Sequence, residues 1–166
     1  MTSDRRHAPT RFRTFIRVHQ SVLGQHAATR FVGSDSLVVT AFPTAYFIEG
    51  EIACLGGILI SVSKMLTVLD DNAADPVVQT RRYRYHASIQ NVGNLLRYES
   101  AHSDHNQDHH RHEYDPWTDT ELPDSPQMIG DAGWPHLGDM IAEVEQWYWE
   151  NFARLPEGYA ELGRSR

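Results

Sequence analysis

The run Val77–Gln90 constrains this chain more than any other stretch. Its odd positions carry Tyr83, Tyr85, Ala87 and Ile89, and its even positions carry Arg82, Arg84, His86 and Ser88. A period of two belongs to a β-strand, whose side chains alternate between the two faces of a sheet. One face of this strand packs; the other presents Arg, Arg and His together. So long a strand also needs neighbours, because its backbone donors and acceptors have to be paired.

The neighbours are legible on both sides. Ala45–Leu55 and Ile58–Leu69 flank Gly56-Gly57, a two-residue hairpin signal. Leu37–Phe42 is a short β-rich run ended by Pro43, and DDNAADP at 70–76 is a turn cluster. NVGN at 91–94 is a second turn, followed by a strand over Leu95–Glu99 and a polar loop over Ser100–Asp108. His109–Asp115 returns to the sheet and places His110, His112 and Tyr114 on one face. Turns this tight join antiparallel strands, since parallel ones need crossovers of a dozen or more residues. Pro116–Gly133, rich in Pro, Asp and Gly, reads as an irregular surface connection.

Two segments have a different period. From Phe12 to Leu23, apolar residues at 12, 15, 16, 22 and 23 fit a helix, with an irregular strand as the alternative. After Trp134-Pro135 the stripe Leu137, Met140, Ile141, Val144, Trp147 and Tyr148 predicts an amphipathic helix over 136–151. Asp139 sits at its positive end. The expectation is an α+β fold: one mainly antiparallel sheet built around residues 45–115, with that helix across one face. Residues 1–45 form an N-terminal extension, 46–152 the core and 153–166 a loose tail; residues 1–10 are expected to fray.

The 166 residues fit one domain. At 40% apolar and 22% charged residues, the chain can bury a core, unlike a disordered sequence. No apolar run approaches the roughly 20 residues of a membrane helix. The N-terminus MTSDRRHAPTRFR lacks an apolar export core, so no membrane partner and a cytoplasmic location are expected. Cys54 alone allows neither an internal disulfide nor a Cys-only metal site. The net charge of −7 argues against unspecific nucleic-acid binding by the whole surface. The charge is segregated, however: residues 77–98 hold Arg81, Arg82, Arg84 and Arg97 with no acid, whereas residues 99–166 sum to −11.

Five of the ten histidines, His102, His105, His109, His110 and His112, fall within eleven residues and alternate with Asp104, Asp108 and Asp115. Three readings fit this cluster. A His/Asp site could hold a transition metal, although no HExxH helix and no Cys partner are present. Paired histidines with Arg or Lys could instead cleave a phosphodiester without metal or cofactor, one histidine as base, one as acid and a cation on the phosphorane. The third reading is a hydrogen-bonded network that merely closes a small sheet.

The elements IEGEIACLGGILISVSK (48–64), QTRRYRYHASI (79–89), NLLRYESAH (94–102), HHRHEYD (109–115) and WPHLGDMIAEVEQWYWEN (134–151) resemble the TumE-type toxin family of toxin–antitoxin modules. The resemblance spans Phe47 to Asn151, about two thirds of the chain. Glu99 stands where relatives usually carry Asp, and His136 where a threonine commonly caps the helix; the first forty residues lie outside. The resemblance implies a growth-inhibiting toxin that acts on RNA and is encoded beside a helix-turn-helix antitoxin, which the acidic C-terminal part would attract. A non-catalytic protein docking a partner through its basic strand face, and a metal-dependent hydrolase, are the alternatives.

On the phosphodiester reading, His102 and one of His110 and His112 form the base–acid pair, with Arg97 stabilising the phosphorane. Arg97 and Glu99, two apart on a strand, share a face and can pair. Arg84, His86, Lys64, Tyr98 and Glu99 complete the substrate-binding set. His109 points the other way, and with His105 serves as a control.

Overall fold

The computed structural model describes residues 7–70, 74–100 and 109–163. In chain order its main elements are β1 (Thr10–Arg11), α1 (Phe12–Ala28), β2 (Val32–Asp35), β3 (Val38–Ala41), β4 (Ala45–Cys54) and β5 (Ile58–Asp70). They continue with β6 (Val77–Ile89), β7 (Gly93–Ser100), β8 (His109–Asp115), β9 (Thr120–Glu121), β10 (Gln127–Met128) and α2 (Leu137–Asn151). β4 to β8 form an antiparallel meander in which each strand pairs with the next, and β2 and β10 extend it at either side. The fold is therefore α+β, with the expected antiparallel sheet and the expected C-terminal helix packed on it.

Both helices lie on one face. Ile52, Ile58, Ile60, Val62, Tyr85, Ala87 and Leu96 point toward that face and meet Leu137, Met140, Ile141, Val144 and Tyr148 of α2. Fully burying each such aliphatic side chain stabilises the fold by roughly 1.5–3 kcal/mol. At the far end of the strands, Phe12, Phe15 and Ile16 of α1 cover Ile48, Leu66 and Val78. The helices touch where Glu145 accepts from Thr29 Oγ1 (3.1 Å) and contacts His26 Nδ1 (3.0 Å). Every member of the α2 stripe is buried except Trp147, which is half-buried against Trp117.

The turn between β4 and β5 follows from its glycines. Gly56 and Gly57 have φ of +75° and +69°, and Ile58 N–H donates to Leu55 O. Gly56 has a second reason to lack a side chain: a Cβ there would lie 2.8 Å from the Tyr148 ring. The C-terminal segment, expected to be loose, is docked against this turn. Gly56 N–H donates to Leu162 O (3.1 Å), and the Tyr159 hydroxyl donates to Gln90 O (2.9 Å).

The N-terminal segment is also tied down, against the expectation of fraying for residues 7–10. His7 stacks on Trp134 and His136 with ring centroids 3.9 and 4.1 Å away, and β1 pairs with the start of β6. Among the described residues, no helix is long and apolar enough to cross a membrane.

Candidate functional site

The sheet face opposite the helices collects the basic residues. Cross-strand register aligns His86 of β6 with Arg97 of β7 and His112 of β8 in one row. The next row is Arg84, Glu99 and His110 on the same three strands. Side chains in one row stand roughly 5 Å apart from strand to strand, so His86 and His112 flank Arg97 across roughly 10 Å of backbone. Six residues singled out in the sequence thus share one grid: Arg84, His86, Arg97, Glu99, His110 and His112.

Glu99 is the electrostatic centre of the grid. Its side chain is 10% exposed, and basic side chains crowd its carboxylate: His112 Nε2 at 3.3 Å, Arg97 Nε at 3.4 Å and Arg84 Nε at 3.6 Å. The Arg97 contact is ionic only, since its buried Nε makes no hydrogen bond. Arg84 is half-exposed, so its share is small. The expected Arg97–Glu99 pair is present, and cross-strand His112 joins it.

His112 is held from both sides. Its Nδ1 meets Glu121 Oε1 at 2.7 Å, while Nε2 faces Glu99. Nδ1 carries the proton that Glu121 accepts, and Nε2 lies at ion-pair distance from Glu99. Glu121 also accepts from Ser125 Oγ at 2.6 Å, and these hydrogen bonds from Ser125 and His112 lower its pKa below the usual carboxylate range.

His86 is positioned by residues that the sequence did not advertise. Its Nε2 lies 2.6 Å from Asn94 Oδ1. Asn94 Nδ2 donates to Asp119 Oδ1 (2.8 Å), which turns the amide so that its oxygen faces the ring. His86 Nε2 therefore carries the proton and Nδ1 keeps its lone pair. Burial is the main cause that pushes the His86 pKa below its usual value, and the Arg97 and Arg84 charges add to this; the Asn94 bond works in the opposite direction.

Asn94 reaches this face through a bulge. The β6–β7 register shifts at Leu95, so Leu95 and Leu96 both point into the core and Asn94 changes sides. Two successive leucines between polar residues were the available signal. Asp119 and Glu121 come from the irregular 116–126 connection, where no periodicity could assign them a direction.

Two candidates leave the site. Lys64 lies on the helix face, 3% exposed, because β5 alternates and Lys64 shares the parity of Ile60 and Val62. Tyr98 lies on the same face, where its hydroxyl donates to Glu143 Oε2 (2.6 Å) and accepts from Arg111 Nε (3.1 Å). Arg111 also pairs with Glu143 and Glu113. His109 faces inward as expected; its Nδ1 is 2.9 Å from the Tyr83 hydroxyl and its ring stacks on Trp134. His102 and His105, with Asp104 and Asp108, lie outside the described residues.

Among the described residues, no three His, Cys, Asp or Glu side chains are placed to hold a metal ion. Glu99 and Glu121 sit on opposite nitrogens of His112 rather than converging on one point. The arrangement can orient an anion over Arg97 and Arg84, accept a proton at His86 and give one up at His112. No family model, no curated protein and no solved structure matches this chain.

Proposed function

We propose that this protein is the toxin of a toxin–antitoxin module, a metal-independent endoribonuclease. The observation that carries the reading is the row His86–Arg97–His112, an arginine flanked by two histidines on an open sheet face. In this reading His86 Nδ1 takes the proton of a ribose 2′-hydroxyl, whose oxygen attacks the adjacent phosphorus. Arg97 and Arg84 hold the phosphorane oxygens, and His112 protonates the departing 5′-oxygen. The products are a 2′,3′-cyclic phosphate and a 5′-hydroxyl. His102, one member of the base–acid pair expected from the sequence, is tested by His102→Ala beside His86→Ala in the same experiment. The resemblance of residues 47–151 supports the toxin role and a helix-turn-helix antitoxin as partner.

The test is incubation of the purified protein with RNA, with and without EDTA. EDTA-resistant cleavage leaving cyclic-phosphate ends is the expected result, and RNA carrying 2′-deoxy positions should resist it. His86→Ala and His112→Ala should each slow cleavage about 10²–10⁴-fold while the protein stays folded. Cleavage lost in EDTA would point to a metal-dependent hydrolase. Binding without cleavage would point to a docking protein that uses the same face.

A further inference from the structure

On the opposite side of the sheet lies a cavity of about 530 Å³, open to solvent on one side and lined by β5, β6, α1, the start of α2 and residues 7–10. That volume falls within the roughly 300–1,000 Å³ of small-ligand pockets. Phe15, Val18, Val22, Val78 and Leu137 give it apolar walls, and Lys64 is its buried cation.

Lys64 is an unusual group to bury. Its Nζ has no carboxylate within ion-pair distance among the described residues. Its polar contact is His19 Nε2 at 3.4 Å, and the Phe15 ring lies 4.8 Å from the ammonium. A buried ammonium without a counter-charge is expensive to maintain. We propose that this cavity binds a small monocarboxylate with an aliphatic body, its carboxylate on Lys64 and its chain along the apolar walls. The ligand supplies the counter-charge that no described carboxylate places within ion-pair distance of Lys64. This site is independent of the ribonuclease reading, on the other face of the sheet.

The groups facing Lys64 determine how such binding responds to pH. Burial pushes the Lys64 pKa down to about 7. Burial first, then the charges of Lys64 and His136, push His19 down to about 3, so it is neutral throughout the working range. Tyr83 and Tyr85 on β6 have pKa values raised mainly by burial and stay neutral. From α2, His136 and Asp139 line the cavity, with Asp139 Oδ2 accepting from His136 N–H (2.8 Å), and His7 lines it from the N-terminal segment. A carboxylate selects the protonated Lys64, so binding takes up a proton above the pKa of the empty site. Affinity then falls toward tenfold per pH unit as the pH rises beyond about 8.

The experiment compares octanoate with 1-octanol, equal in chain length and different in charge, by calorimetry on the full chain. Octanoate should bind about 10–100-fold more tightly at pH 7, the range expected for a charge-assisted hydrogen bond. That preference should shrink by pH 9 and disappear in Lys64→Met. Should that variant fail to fold, Val18→Trp fills the cavity from an exposed helix position and leaves Lys64 in place. It should abolish octanoate binding with the melting temperature retained. Equal binding of alcohol and carboxylate, no octanoate binding, a preference kept in Lys64→Met, or octanoate binding kept in Val18→Trp would each overturn the proposal.

Discussion

Replacing Glu99 by glutamine removes one negative charge from the centre of the histidine–arginine grid and leaves the shape of the side chain intact. Two of the contacts it severs are well shielded: the Arg97 side chain is 21% exposed and that of His112 is 12% exposed. Arg84, at 53%, contributes little. Breaking a fully buried ion pair costs about 3–5 kcal/mol. Partial exposure of the partners lowers this to about 2–3 kcal/mol, a drop of about 5–10 °C in Tm for a chain of this size. Glu99→Asp keeps the charge and should recover most of that loss. The same glutamine variant should bind a short RNA more tightly, with a steeper salt dependence, because it raises the local positive charge. Thermal melts at pH 7 and RNA anisotropy across a salt series read the two effects. Stability unchanged within about 0.5 kcal/mol would show that Glu99 is not the hub of the grid. Weaker RNA binding in a variant that remains folded would remove this face from the RNA surface.

Asn94→Ala frees the His86 ring and removes the larger of the two interactions that favour its protonated form, the other being the Glu99 charge. The acidic limb of kcat/KM for RNA cleavage should therefore move to lower pH, and the rate should fall about tenfold or more as the ring loses its orientation. Lys64 has a folded-state pKa of about 7, below its unfolded value, so the unfolded chain binds more protons between pH 7 and about 10. Stability of the wild type should rise across that window, and Lys64→Met should abolish the rise and be the more stable protein at pH 7 by a few kcal/mol, as read by denaturant titrations at a series of pH values. Gly56→Ala forces a Cβ onto the Tyr148 ring at a positive φ and should destabilise by about 2 kcal/mol or more in the same assay.

Most of the architecture could be read from period and punctuation. β6 alternates over its second half, Gly56-Gly57 marks a hairpin, and the α2 stripe has a period that only a helix satisfies. The in-strand pairs of the grid were legible for the same reason: residues two apart share a face, so Arg84 with His86, Arg97 with Glu99 and His110 with His112 were bound to be neighbours, whereas the rows across β6, β7 and β8 depend on a register that no in-strand pattern fixes. Alternation fails where a bulge intervenes. The shift at Leu95 moves Asn94 to the site, and another near Arg81 lets Val78 and Tyr83 both point inward despite opposite parity. Lys64 illustrates a different limit. Its parity with Ile60, Val62 and Leu66 puts it on the packed face, yet it was grouped with Arg84 and His86, because a lone cation on an apolar face looks like a solvated edge until the helices covering it are known. Contacts of His7 with Trp134, and of Leu162 with Gly56, join residues more than a hundred positions apart, beyond the reach of any local pattern.

The meander also has a kinetic consequence. Within β4 to β8 each strand pairs with the next in sequence, so each of these steps closes a short loop at small entropic cost, whereas the pairings of β1, β2 and β10 are longer in range; folding rates fall as contacts become more distant along the chain. Two strands joined by Gly56-Gly57 can nucleate the sheet before either terminus arrives. The N-terminal helix and the docked C-terminal segment then close over a surface already formed. Gly56→Ala should accordingly slow folding, whereas replacing His7 or Tyr159 should mainly speed unfolding, because those contacts form after the barrier. The grid of histidines and arginines, built entirely on β6, β7 and β8, would then exist before the chain ends are fastened.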